Sequence, residues 1–237
     1  MSNEMINWYD KKGVKKLLDT VPNPAYDVHK IKTPFRMLVV AASGGGKTSF
    51  LLSMIEKMPN TFCHIYICTR VMEPLYQFLE KTIGSDKITF LYKLSDLPSP
   101  DKLEHTSDGQ VLVVWDDFVN ASEREHEIVR EYYLRGRKKR ISMCYLSQSY
   151  FKVNKFIRCQ LTHLILLKLS GKKDLNLIVS DHSLGVEKDE LLEMYKQSIK
   201  LPFNFFKVDI GESDDNKRFS HNWSGFFQIE PESDEDG

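Results

Sequence analysis

Three short stretches carry side chains whose chemistry goes beyond folding. The first, A-A-S-G-G-G-K-T-S at residues 41–49, closes an apolar run and opens a helical one. Its consecutive glycines, Gly44, Gly45 and Gly46, let backbone N–H groups converge on an anion with no Cβ in the way. Lys47 adds a positive charge suited to bridging β- and γ-phosphates, and Thr48 a hydroxyl suited to Mg²⁺. Ser43 and Ser49 flank this cradle and count with its nucleotide-contacting residues. The usual spacing of such a loop has glycine at its first position, where this chain has Ala41. That residue stands at the entrance of the loop, and alanine costs little there if its φ is negative.

The second stretch, V-L-V-V-W-D-D at 111–117, ends a buried strand on two carboxylates. Asp116 is placed to bind Mg²⁺ through its water shell, and Asp117 to orient an attacking water at the γ-phosphate. The plainer reading is that the pair caps the following helix. The third stretch, S-M-C-Y-L-S-Q-S-Y-F at 142–151, puts Gln148 at the carboxyl end of an apolar strand, the edge where ligands bind in such sheets. A γ-phosphate sensor and an ordinary polar turn both fit it. Between them R-G-R-K-K-R at 135–140 concentrates five cations. A solvated helix end, an arginine reaching a neighbouring subunit's nucleotide, and a patch for DNA phosphates remain open there. Arg158 is a second arginine candidate.

These residues need elements to hold them. Continuous apolar runs at 36–42, 64–69, 88–92, 111–115, 141–147 and 162–169 predict buried strands of a parallel sheet covered on both faces. Helical patterns at 48–58, 73–83, 122–135, 152–159 and 172–180 lie between them, which implies right-handed crossovers. A further helix is expected over Lys188–Gln197, and then aromatic-rich strands flank the polar turn G-E-S-D-D-N-K. The expected architecture is therefore α/β: a mostly parallel central sheet with helices on both faces and a C-terminal hairpin-like appendage. The domain division expected is a preamble at 1–33 containing a short helix near Trp8–Leu18, a nucleotide-binding domain at 34–229, and an acidic disordered tail at 230–237.

Composition narrows the function classes. The chain has 237 residues, 41% hydrophobic and 28% charged, with 33 basic and 33 acidic side chains. Five of the acids lie in the tail, so the body carries an excess of about five positive charges, which permits a nucleic-acid partner without requiring one. No apolar run approaches the roughly 18 residues needed to span a bilayer. The first residues show no apolar signal region, so an intracellular protein with no membrane association is expected. Four cysteines without a C-x-x-C spacing read as buried, reduced thiols.

Taken in order, the phosphate loop, VVWDD, RGRKKR and YLSQSYFKVNKFIR before THLILLK resemble the genome-packaging ATPases of large DNA viruses and virophages. This is the poxvirus-type branch of the FtsK–HerA P-loop superfamily, and the resemblance covers about residues 34–230. It implies a P-loop NTPase fold and an ATP- and Mg²⁺-dependent motor moving double-stranded DNA, without sequence preference, into a preformed capsid. Carried over by position, it implies Lys47, Thr48 and Asp116 as nucleotide and Mg²⁺ ligands. Asp117 becomes the water-positioning acid, Gln148 the sensor, and Arg137 or Arg140 of the basic segment the arginine acting across a subunit boundary. The implied partners are DNA, a capsid or portal protein and further copies of the chain in a ring. The implied location is the host cell's cytoplasmic virus factory, with the virion a further place. Ala41 for glycine and G-R-K for the family's frequent G-R-H are departures. A small P-loop nucleoside or nucleotide kinase, and a nucleotide-binding subunit that does not hydrolyse, are the rival readings. Segment 93–109 and the turn Gly171–Lys173 are the expected ring-lining loops.

Overall fold

The computed structural model describes residues 6–8, 11–15, 22–103, 109–182 and 184–229. Their order is α1 (Lys12–Lys15), α2 (Tyr26–His29), β1 (Arg36–Val40), α3 (Lys47–Lys57), β2 (Phe62–Thr69), α4 (Pro74–Ile83), β3 (Ile88–Leu91) and β4 (Gln110–Asp116). Then follow α5 (Glu123–Arg135), β5 (Ile141–Ser147), α6 (Lys155–Arg158), β6 (His163–Leu166), α7 (Lys172–Asp181), α8 (Lys188–Ser198), β7 (Phe206–Asp209), α9 (Asp215–Arg218), β8 (Phe219–His221) and β9 (Gly225–Phe226). The strands form one sheet in the order β3-β2-β4-β5-β1-β6-β7-β8-β9. Pairing from β3 to β6 is parallel, and β7, β8 and β9 add on antiparallel.

The alternation of side chains along β1 explains why helices cover both faces. Met37, Val39 and Ala41 join one buried cluster with Phe50, Leu51, Met54 and Ile55 of α3 and Tyr76 and Leu79 of α4. Leu38 and Val40 point the other way, into a cluster with Val129, Tyr132 and Tyr133 of α5 and Leu191, Met194 and Tyr195 of α8. Strands buried on both faces have no polar positions to spare, and β5 is buried at every residue. Helix α5 begins on a capping box, with Ser122 and Glu125 exchanging hydrogen bonds, so its start needs no tertiary help.

The doubly covered, mostly parallel sheet expected from the sequence is the one found, and the aromatic C-terminal segment does extend the sheet edge. One helix differs. The helix expected over 152–159 is the four-residue α6, because Ser147 and Asp174 bind the backbone of 149–151 in a turn first and delay the helix to Asn154, its cap. Of the helix expected near Trp8–Leu18, only α1 falls among the described residues, and the tail at 230–237 lies outside them. Residues 22–35 pack on the body. His29 and Ile31 are fully buried, and Gln110 Nε2 donates to the Pro22 carbonyl. Among the described residues no helix is long and apolar enough to cross a membrane.

Candidate active site

The parallel strands bring their carboxyl ends to one edge, where the chemistry-bearing residues collect around a cleft of about 530 Å³. The loop after β1 is tied to both neighbouring strands: Ala41 N–H donates to the Ser147 carbonyl at 3.1 Å and Ala42 N–H to the Lys168 carbonyl at 2.9 Å. Gly45 N–H then closes a tight turn on Ala42 O, and α3 starts at Lys47 with Gly46 before it. Gly46 has φ +96, a region that favours glycine, and Gly45 has none of the space a Cβ would need, since it would stand 2.8 Å from Ala42 O. Ala41 is fully buried and has no positive φ, so the alanine sits in the loop's entrance without strain. The first N–H groups of α3 lack helical partners and face the cleft with the positive end of the helix dipole.

Ser43, Gly44, Gly45, Gly46, Lys47, Thr48 and Ser49 line the cleft, and Asp116, Asp117 and Gln148 close its far wall. Asp116 is the last residue of β4, half-buried, and accepts a hydrogen bond from the Tyr76 hydroxyl at 2.7 Å. Burial raises its pKa above the ordinary carboxylate value. The charges of Glu73 and Asp117 add to that rise, and the Tyr76 hydroxyl and Lys47 oppose it. Asp117 leaves the strand at φ +59 with its N–H on the Leu146 carbonyl, and its exposed carboxylate accepts from Gln148 Nε2 at 2.8 Å. The two residues expected to handle the water and to sense the γ-phosphate are thus in contact. The loop carrying Gln148 is held by Asp174 of α7, 5% exposed, which accepts from Ser149 Oγ and Phe151 N–H.

Three residues on or behind the cleft wall escaped sequence reasoning. Glu73, at the start of α4, accepts from the Thr48 hydroxyl at 3.0 Å. Tyr76 follows one helical turn later, and Arg70 stands on the cleft wall with its guanidinium 5.1 Å from the Phe118 ring centre. All three arrive because β2 lies beside β4, an adjacency that no spacing along the chain encodes. The string T-R-V-M-E-P, a strand running into a proline-started helix at that edge, was the one available signal.

The arginine candidates lie elsewhere. Arg137 belongs to the turn that precedes β5, and Arg140 sits at φ +54 just before that strand. Both are at the amino edge of the sheet, the length of β5 away from the cleft, about 20 Å. Neither can reach this chain's own loop. Arg135 and Lys139 of the same cluster are engaged with Asp101. Arg158 departs from expectation most. It is 7% exposed, ion-paired with Asp181 at 3.1 Å and stacked 5.0 Å from the Tyr150 ring centre. Its charge is neutralised within the chain and is not presented to a neighbour.

Among the described residues no three His, Cys, Asp or Glu side chains form a metal cage. Mg²⁺ keeps several waters and takes one or two carboxylates together with substrate phosphates. The donors that would do so here are Thr48 Oγ1 and the Asp116 carboxylate, with Glu73 already on the threonine hydroxyl.

The sequence profile of the Poxvirus A32 protein family matches residues 25–200, from α2 through α8 and so across the phosphate loop, Asp116, Asp117 and Gln148. The chain belongs to this family. It is 26% identical over 174 residues to the DNA packaging protein OPG160 of Variola virus, which covers 68% of this chain and 63% of that protein. The chain therefore spans less than two thirds of the length of these relatives. Among solved structures it is similar to B204, the DNA-packaging ATPase of Sulfolobus turreted icosahedral virus, with TM-score 0.58 and 12% identity over 81% of this chain and 98% of that one. The genome packaging NTPase B204 of Sulfolobus turreted icosahedral virus 2, in complex with AMPPCP, superimposes with TM-score 0.59 and 10% identity over the same shares. At such identities these likenesses establish the fold, that of P-loop ATPases.

Proposed function

We propose that the chain is the ATP-hydrolysing motor of genome packaging, translocating double-stranded DNA into a preformed capsid. The observation that supports this reading is the hydrogen bond between Gln148 and Asp117 in the cleft that Lys47 also lines, an arrangement suited to a water-handling acid and a polar sensor beside a γ-phosphate. A phosphate-binding loop alone would serve a kinase equally well. The names of the viral relatives, DNA packaging proteins, and the titles of the packaging ATPases that share the fold support it independently.

In this mechanism the backbone N–H groups of Gly44–Thr48 and the Lys47 ammonium bind the β- and γ-phosphates. Thr48 and Asp116 would hold Mg²⁺, which when bound neutralises charge developing on the phosphate oxygens. Tyr76 and Glu73 orient those two ligands from behind. Asp117 accepts the proton of the attacking water, and Gln148 fixes the carboxylate that does so. The ring reading rests on the arginines. Since Arg137 and Arg140 sit at the opposite sheet edge, an arginine of that cluster can serve a nucleotide only from a neighbouring copy, in the manner of an arginine finger. Arg70 is the arginine on this chain's own cleft wall. We place the motor function in residues 34–229, with residues 22–33 packed on them, in the infected cell where capsids fill.

The test is the ATPase rate of the purified chain with and without double-stranded DNA, beside the mass of the oligomer. The expected outcome is stimulation by DNA of any sequence, reduced by salt as phosphate contacts require. Asp117→Asn should retain nucleotide binding and lower kcat about 100-fold or more, the scale of a lost general base. Phosphate transfer to an added nucleoside without DNA, or an Asp117→Asn variant as active as the wild type, overturns the motor reading.

A further inference from the structure

Opposite the catalytic wall the cleft is bordered by an exposed phenylalanine that neither the hydrophobic core nor the phosphate chemistry explains. Phe203 is 68% exposed, and Leu201, two residues before it, 66%. Phe203 holds φ +63, a backbone region that bulky side chains seldom adopt and that persists where the surroundings impose it. The surroundings do so here. Asn204 N–H donates to the Leu201 carbonyl, Phe205 N–H donates to Asn222 Oδ1 at 3.0 Å, and Asn222 Nδ2 donates to Asn204 Oδ1. The Phe205 ring meets Phe50 of α3 edge-on at 4.9 Å, and Trp223 stacks on Phe50 at 5.4 Å. The segment bearing Phe203 is therefore riveted to the helix that follows the phosphate loop. Its ring lies so close to that loop that a Cβ on Gly46 would stand 2.9 Å from Phe203 Cδ1.

The sheet order gives this ring a direction. The loop leaves β1, with β5 and β4 on one side and β6 on the other. Asp116, Asp117 and Gln148 fix the γ-phosphate end on the β4–β5 side. A nucleotide cradled by Gly44–Thr48 must then extend its sugar and base toward β6. On that side a second cavity of about 280 Å³ opens between Gly44, Gly45, Lys168, Leu201, Pro202 and Phe203, and Phe203 borders both cavities.

Resting on the nucleotide reading above, we propose that Phe203 is the platform on which the nucleobase stacks. Leu201 and Pro202 supply apolar surface around it, and the C-terminal strands β8–β9, through Asn222 and Trp223, hold the platform in place. Stacking on a ring reads the π-face that every base has, so the platform gives affinity for a nucleoside triphosphate over a bare polyphosphate and little choice among bases.

The experiment compares ATP with inorganic tripolyphosphate, each with magnesium, titrated calorimetrically into the full chain and its variants. Phe203→Ala should weaken ATP binding about ten- to a hundredfold, the range for one lost base–aromatic stack. Tripolyphosphate, which has no base, should stay within about twofold of wild type, and Phe203→Tyr should keep ATP affinity within about threefold. A Phe203→Ala variant that loses both ligands equally shows that the ring merely shapes the loop, and overturns the proposal. So does one that loses neither, or one whose affinities stand while its oligomer mass falls, which would assign the ring to a subunit interface. A wild-type chain that binds neither ligand defeats the nucleotide reading itself, and this platform with it. Binding of both by wild type with no change in Phe203→Ala removes the platform alone.

Discussion

Tyr76→Phe removes one oxygen atom from the site and tests whether Asp116 is a tuned cation ligand. The Tyr76 hydroxyl donates to Asp116 Oδ2 at 2.7 Å, and the ring is fully buried, with Phe90 tilted 5.8 Å away. Phenylalanine keeps that packing and takes only the donor. A hydrogen bond to a charged group contributes about 1.5–3 kcal/mol, which corresponds to about one to two pKa units in the carboxylate that accepts it. Burial already pushes the Asp116 pKa up, and the Tyr76 hydroxyl is the largest influence restraining it. Without it the carboxyl holds its proton to higher pH, and the proton competes with Mg²⁺ for the same oxygens. Loss of such an outer partner typically lowers metal affinity about 10- to 100-fold. The assay is a magnesium titration of ATP hydrolysis at pH 7.5 and pH 6. The half-saturating magnesium should rise in the variant at both, and by more at pH 6, with the melting temperature little changed. Equal magnesium dependence in the two proteins at both pH values would refute the tuning argument. So would a loss that is the same at pH 7.5 and 6, because protonation would then play no part.

The remaining predictions concern stability. Ala41→Gly should leave ATP affinity within about twofold of wild type, since the alanine meets no strain, and should lower unfolding free energy by about 1 kcal/mol through backbone entropy. A large gain in affinity would mean that the alanine does impair the loop. Acid should weaken the fold through two histidines buried beside the β6–β7 pair. Burial, with Lys207 nearby, lowers His163 to about 3 and His29 to about 4. The unfolded chain takes up protons near pH 6.5 that the native state refuses, so stability is full above about 6.5 and falls as pH drops toward those values, by up to about 1.4 kcal/mol per pH unit per histidine. Asp209, whose carboxyl burial raises, works in the opposite direction. Urea midpoints at pH 7 and pH 5 measure the effect, and His163→Gln should remove about half of the slope. A wild-type midpoint that does not move between those pH values contradicts this assignment.

What could be read from the sequence was whatever is local. V-L-V-V-W is apolar without alternation because β4 is buried on both faces, and G-G-G-K-T declares its loop through backbone freedom and a charge at fixed spacing. Side chains recruited by sheet order could not be read in this way. Tyr76 stands 40 residues before the Asp116 it serves and Glu73 25 residues after the Thr48 it accepts from, and only the sheet order that puts β2 beside β4 brings them to the site. Arg158 was misjudged for the same reason. The residue that neutralises it, Asp181, comes one strand and one helix later along the chain.

The C-terminal strands make the same point from the other direction. Their aromatic residues predicted a hairpin at the sheet edge, and β7 to β9 are there, yet a role limited to closing the edge leaves Phe203 unexplained. Phe50, on the helix that the phosphate loop starts, packs against Phe205 and Trp223 from this appendage. Edge closure needs only backbone pairing and a few apolar contacts, which β7 on β6 supplies without those rings. The additional aromatic contact ties the appendage to α3, the helix whose start we assign to phosphate binding. A displacement of β8–β9 would therefore move the loop assigned to the nucleotide's phosphates, and a ligand on that loop would in turn stiffen β8–β9. If Trp223→Ala weakens tripolyphosphate as well as ATP, where Phe203→Ala weakens only ATP, the two aromatic residues act at different depths of one device, Trp223 on the loop's position and Phe203 on the base.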